Sequence, residues 1–150
     1  MPHPVTVVVS LALLAACGGA TQPHTTFTPQ LSVGGTYPTT VALTQSTCPG
    51  ITVANNTTTV THVSGSTSIT VTHAGNDYAG QVTNQGTFVT QAKTVSGGGE
   101  DHTLVITGTF TATGFSAIVA VSVTRPTAPT TCAYTVTWTG TRSNGTNTFP

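Results

Sequence analysis

Charge is what this chain has least of. Three Lys or Arg and three Asp or Glu make up 4% of its 150 residues, and the formal net charge is zero. A nucleic-acid partner would need clustered cations against its phosphates, so none is expected. Helix-forming runs of Ala, Leu, Glu and Lys are missing beyond the first segment. No apolar run reaches the roughly 20 residues of a membrane-spanning helix. Catalytic and metal-binding patterns are equally scarce. Gly97-Gly98-Gly99 lacks the Lys and the following helix of a phosphate-binding loop. Ser, His and Asp occur without nucleophile-elbow spacing. Glu100-Asp101-His102 is the one cluster of titratable groups, an acid–base pair or weak cation site at most, and its glycine-rich setting reads more simply as a solvated loop. A turn at Ser64-Gly65-Ser66 sets His62 opposite about Ser68, which leaves His73 on the order of 16 Å away at strand rise. Zinc ligands must converge within a few ångströms. The expectation is no metal, no cofactor and no enzyme.

What the sequence does have is threonine, roughly a quarter of all residues and several times the usual share. Thr is a strand former. From Cys132 to Arg142 the residues alternate without a break. Cys132, Tyr134, Val136, Trp138, Gly140 and Arg142 share one face, and Thr135, Thr137, Thr139 and Thr141 share the other. Successive strand side chains point to opposite sides, so one face is buried and the other wet. Seven earlier segments alternate similarly: 35–45 with Tyr37, 57–63, 66–73, 77–83 with Tyr78, 87–94 with Phe88, 102–113 and 115–124. About eight strands joined mostly by tight turns predict an all-β, antiparallel up-and-down meander closing into a small barrel. The alternative is an immunoglobulin-like sandwich, but there a Trp lies between the cysteines, whereas here Trp138 follows the second. Thr113-Gly114 fits a two-residue hairpin turn with Gly at positive φ, setting Ala112 opposite Phe115 and Phe110 opposite Ala117. Gly75-Asn76 and Asn84-Gln85-Gly86 are further turn signals.

Val5 to Ala16 is a short apolar run ending in small residues, the pattern of a secretory signal. Leu14-Ala15-Ala16-Cys17 resembles the bacterial lipobox. That resemblance implies cleavage before Cys17, lipid on its thiol, and a mature protein anchored to the membrane of a bacterial cell envelope. Gly18 is not the Asp that retains such lipoproteins in the inner membrane, which implies the outer membrane where there are two. The expected organisation is a signal peptide over 1–16, lipidated Cys17 and a tether over 17–33, a barrel over 34–143 and a tail over 144–150. Gly18-Gly19, Pro23 and Pro29 give the tether no strand or helix period.

Closing an eight-strand meander pairs its last strand with its first. Cys48, just past the first strand, then lies beside Cys132, which starts the last. With Cys17 lipidated, these two remain as an even pair in an oxidising compartment, so a disulfide is expected. At the opposite end of the seam, Gly35-Thr36-Tyr37 and Arg142 resemble the calycin barrels, the lipocalins and avidin-like proteins. There an Arg from the last strand packs over an aromatic of the first, a cation over a ring face. The resemblance implies a calycin-like barrel closed by Tyr37 and Arg142. The longer connections, 45–52, 96–101 and 125–131, fall at the end away from the tether. Loops on a rigid scaffold are where binding residues gather. Tyr78, Phe88, Tyr134 and Trp138 are the candidate contacts for a small apolar or aromatic ligand at that mouth. The competing expectation is a structural or interaction protein whose aromatics fill the barrel.

Overall fold

The computed structural model describes residues 29–125 and 128–150. The expected signal peptide, Cys17 and most of the tether lie outside these residues. Nine strands form one sheet: β1 (Gly35–Ser46), β2 (Asn56–His62), β3 (Ser68–His73), β4 (Asn76–Val82), β5 (Thr87–Thr90), β6 (Lys93–Gly97), β7 (Glu100–Thr111), β8 (Gly114–Arg125) and β9 (Ala128–Thr141). Their order is β5-β4-β3-β2-β1-β9-β8-β7-β6, and β5 also pairs with β7. That last pairing closes an antiparallel eight-strand barrel to which β6 adds a short flap. The sheet does not split into two layers, so the sandwich does not form.

Alternation builds the wall. In β4, Tyr78, Gly80 and Val82 are buried while Asp77, Ala79 and Gln81 are exposed. In β8, Ala117, Val119, Val121 and Val123 are buried between exposed neighbours, and Gly114 and Phe115 are both buried at its start. β1 and β9 pair from Thr39↔Gly140 to Ser46↔Tyr134, which brings the two cysteines together. Cys48 and Cys132 form a disulfide with Cα atoms 5.1 Å apart.

Four local readings are corrected. The β7–β8 turn is Ala112-Thr113, with Thr111 opposite Gly114, Phe110 opposite Phe115 and Gly108 opposite Ala117. The register moves by two, so every side chain keeps its face. Gly114 serves close packing instead of a turn, since a Cβ there would strike the Gly140 carbonyl oxygen. The β3–β4 turn is Ala74-Gly75, with φ of 48° and 75°, both in the left-handed region. The segment 87–94 is not one strand. Gln91 N–H still reaches Ala79 O at 2.8 Å, after which the chain leaves β4 and continues as β6 against β7 alone. Thr90 Oγ1 accepts the Ile106 N–H at 3.0 Å, so a side chain fills the broken ladder. Finally, 96–101 is a tight hairpin, with Gly97 opposite Glu100, and Arg125 pairs with Ala128. The long connection at that end is the one between β1 and β2.

The end where β1 begins is sealed. Leu31 and Val33 are buried, and Ser32 bridges Thr148. A Cβ on Gly86 would meet the Phe149 ring. The packed body therefore reaches Leu31 and Phe149, beyond both limits of 34–143.

Candidate functional site

The two ends of the lumen differ. At the sealed end the filling is aromatic. Tyr37 meets Phe115 edge-on at 5.3 Å between centroids and Phe110 at 6.0 Å. Phe88 lies 4.7 Å from Phe110. All four rings are buried. The polar keystone is Asn147. Its Oδ1 accepts from Tyr37 Oη at 2.7 Å and from Arg142 Nη1. Its Nδ2 donates to Thr111 O at 2.7 Å and Gly114 O at 3.2 Å. Arg142 also reaches Gly34 O at 2.5 Å and Asn144 O at 3.0 Å. Tyr37 and Arg142 are joined through Asn147 Oδ1 and not as a cation over a ring. The Tyr37 ring packs against Phe110 and Phe115, and the guanidinium is linked to the hydroxyl end through Asn147. Burial raises the Tyr37 hydroxyl above its usual pKa, partly offset by the Arg142 charge.

The far end is looser. Inward-facing Leu104, His102, Val95, Tyr134 and Val41 are only half-buried there. Its floor is a ring pair across the lumen: His73 from β3 stacks on Trp138 from β9 at 4.0 Å and 25°. His73 extends the inward face of Ile69 and Val71. Its Nδ1 lies 2.8 Å from Thr58 Oγ1, and Thr39 Oγ1 donates to Thr58 Oγ1 at 2.8 Å. Burial holds the imidazole below its usual pKa, which favours the neutral ring.

Above the floor sits a rim of charge. Arg125 Nε donates to Glu100 Oε1 at 2.6 Å, His102 Nε2 lies 3.3 Å from Glu100 Oε2, and Tyr134 Oη lies 3.5 Å from His102 Nδ1. Hydrogen bonding from Arg125 lowers the Glu100 pKa. Burial, then the nearby carboxylate, raises that of Tyr134. Burial and the neighbouring Tyr134 hydroxyl raise that of Tyr78. Lys93 Nζ stands 5.5 Å from the Tyr78 ring centroid and donates to Asp77 O at 2.9 Å.

Of the four expected ligand contacts, Tyr78 and Tyr134 neighbour each other and Trp138 stacks on His73. Phe88 belongs to the sealed end. His73, Thr39 and Thr58 were not anticipated as site residues, although each lies on an inward face by its period of two. Asn147 carries no periodic signal at all. His62 is apart from His73, its Nε2 2.8 Å from Ser66 O. Among the described residues, no three His, Cys, Asp or Glu side chains cluster to hold a metal. The outer wall carries surface concavities. One of about 490 Å³ is lined by Thr107, Ser116, Ile118, Thr137 and Thr139 among others. The chain matches no protein-family model, no curated protein and no solved structure.

Proposed function

We propose that this chain is a lipid-anchored protein of a bacterial cell envelope whose calycin-like barrel takes a small apolar or aromatic ligand at its far mouth. The observation that carries the reading is the gradient of burial along the lumen. Inward side chains at the sealed end, Tyr37, Phe110 and Phe115, are 0–4% exposed. Their counterparts at the other end, Leu104 and Tyr134, are only half-buried. Apolar side chains left half-wet around a rigid opening are what a small-molecule site presents. The Cys48–Cys132 bridge holds that rim.

The anchor rests on Leu14-Ala15-Ala16-Cys17. A tether from Cys17 joins the body at Leu31, on the sealed end, so the mouth would face away from the membrane. The barrel carries its apolar side chains inside and its hydroxyls outside, the reverse of the lipid-facing band of a barrel that crosses a bilayer. Palmitate labelling that persists in Cys17→Ser would remove the anchor from this reading. The mouth is tested by titrating small apolar and aromatic compounds while following the emission of Trp138, the chain's single Trp. Quenching that saturates is expected, and an unchanged signal across the set refutes a mouth site. A second reading, a non-catalytic structural or interaction lipoprotein, draws on the aromatic filling by Tyr37, Phe88, Phe110 and Phe115.

A further inference from the structure

We infer that the far mouth, on the reading just given, selects uncharged ligands carrying a carbonyl-type acceptor, and that His73 Nε2 and Tyr78 Oη are the groups that meet it. His73 and Tyr78 are 8% and 5% exposed, and both face the lumen. Buried polar atoms normally find a partner, and among the described residues no sealed side-chain nitrogen or oxygen lacks one. Yet among the described residues His73 bonds only through Nδ1, and Tyr78 Oη meets no hydrogen-bond partner. Both atoms therefore open onto accessible space in otherwise buried side chains.

The direction of the hydrogen bonds says what they offer. Thr39 Oγ1 lies 2.8 Å from both Tyr37 O and Thr58 Oγ1 and acts as the donor to each, and we assign the proton of Thr58 to its bond with His73 Nδ1. A neutral imidazole that accepts at Nδ1 carries its hydrogen on Nε2. Trp138 stacked on the ring fixes where that N–H points. The lumen thus presents an imidazole N–H against the indole face, with a phenol O–H from the adjacent strand β4. Neither donor carries charge, and an unpaired ion buried against them would be costly. A ligand with an apolar or aromatic body and one neutral acceptor satisfies the site.

Acetophenone, ethylbenzene and benzoate are similar in size; the first carries a neutral acceptor, the second none and the third a charged one. NMR titrations of the protein, following the Trp138 indole N–H, compare them. Acetophenone is expected to bind on the order of tenfold more tightly than ethylbenzene, as one satisfied buried hydrogen bond implies. Tyr78→Phe should reduce that advantage, with the dispersion of the amide spectrum reporting an intact fold, and an undiminished advantage would overturn the role given to Tyr78. Equal affinity for acetophenone and ethylbenzene would overturn this inference and leave an apolar mouth standing. Benzoate binding as tightly as acetophenone would overturn the selection for neutral ligands. If none of the three binds at millimolar concentration, the mouth reading falls together with it.

Discussion

Replacing Asn147 by Ala tests whether the sealed end is held by one side chain beyond the last strand. The amide makes four hydrogen bonds, to Tyr37 Oη, Arg142 Nη1, Thr111 O and Gly114 O. Asn147 is 5% exposed. Truncation does not orphan every partner. Tyr37 Oη keeps Val33 O at 2.7 Å, and Arg142 keeps Gly34 O and Asn144 O. The carbonyl of Thr111 loses its amide donor, and the 3.2 Å bond to Gly114 O is the weakest of the set. Counting two to three effective bonds at roughly 1 kcal/mol each, with some cost for a stranded acceptor, gives a loss of about 2–4 kcal/mol. In a body of this size each kcal/mol moves Tm by about 4 °C, so Tm should fall by about 8–16 °C. Urea unfolding followed by Trp138 emission, with thermal melts by circular dichroism, measures both. A loss below about 0.5 kcal/mol with an unchanged m-value would show that the tail merely lies against the barrel and that Arg142 and Tyr37 close the end without it.

Replacing both Cys48 and Cys132 by Ala removes a cross-link spanning 84 residues, which in the chain-entropy model costs about 4 kcal/mol. The effect acts on the unfolded chain, so the β1–β9 ladder does not make it redundant, and denaturation of the double variant within 1 kcal/mol of the parent would contradict this. His73 contributes a dependence on pH. Its folded pKa is depressed by burial, so below the unfolded value of about 6.5 the unfolded chain binds the extra proton. Stability is therefore complete above that pH and falls as pH drops through it towards the lowered folded value, at no more than about 1.4 kcal/mol per unit. His73→Phe keeps a ring against Trp138 and should flatten the slope between pH 6.5 and 5. An unaltered slope would assign it to another group.

The barrel was legible because period-two alternation is a strong signal and closure follows from an even number of neighbouring strands. Thr135, Thr137, Thr139 and Thr141 outside and Val136, Trp138 and Gly140 inside needed no further information. The same logic placed Cys48 beside Cys132. What failed were positions where a residue serves two roles. Gly114 read as a turn glycine, but its missing Cβ is needed where β8 crosses the Gly140 carbonyl. Thr90 read as one more strand residue, but its hydroxyl takes the place of a backbone partner for Ile106. Both substitutions of role preserve the alternation, so the pattern cannot reveal them. Phe88 was grouped with Trp138 because both face inward. Which end of the lumen an inward residue occupies depends on the stagger between strands, and periodicity does not carry that. Asn147 lies outside any alternating run and acts through its four bonds alone.

The scarcity of charge becomes intelligible once each cation is located. The chain has three, Lys93, Arg125 and Arg142. Arg142 ties the β1–β9 seam at the sealed end. Arg125 holds Glu100 across the start of β7 and the end of β8. Lys93 stands where β5 leaves β4, and its ammonium takes Asp77 O, the next carbonyl along the β4 edge after Ala79. An unpaired edge beside an apolar lumen would otherwise recruit another strand, and a lysine there blocks it. The wall between these points is faced by exposed Thr and Ser hydroxyls, which hydrate without charge. Asp77, Glu100 and Asp101 all belong to the far rim as well. Five of the chain's six ordinary charges therefore ring the one end whose inward side chains remain half-wet. Lys93 on the β4 edge and the Arg125–Glu100 pair between β7 and β8 have structural reasons to lie there, and on the reading proposed above the same charges form the polar rim of an apolar opening.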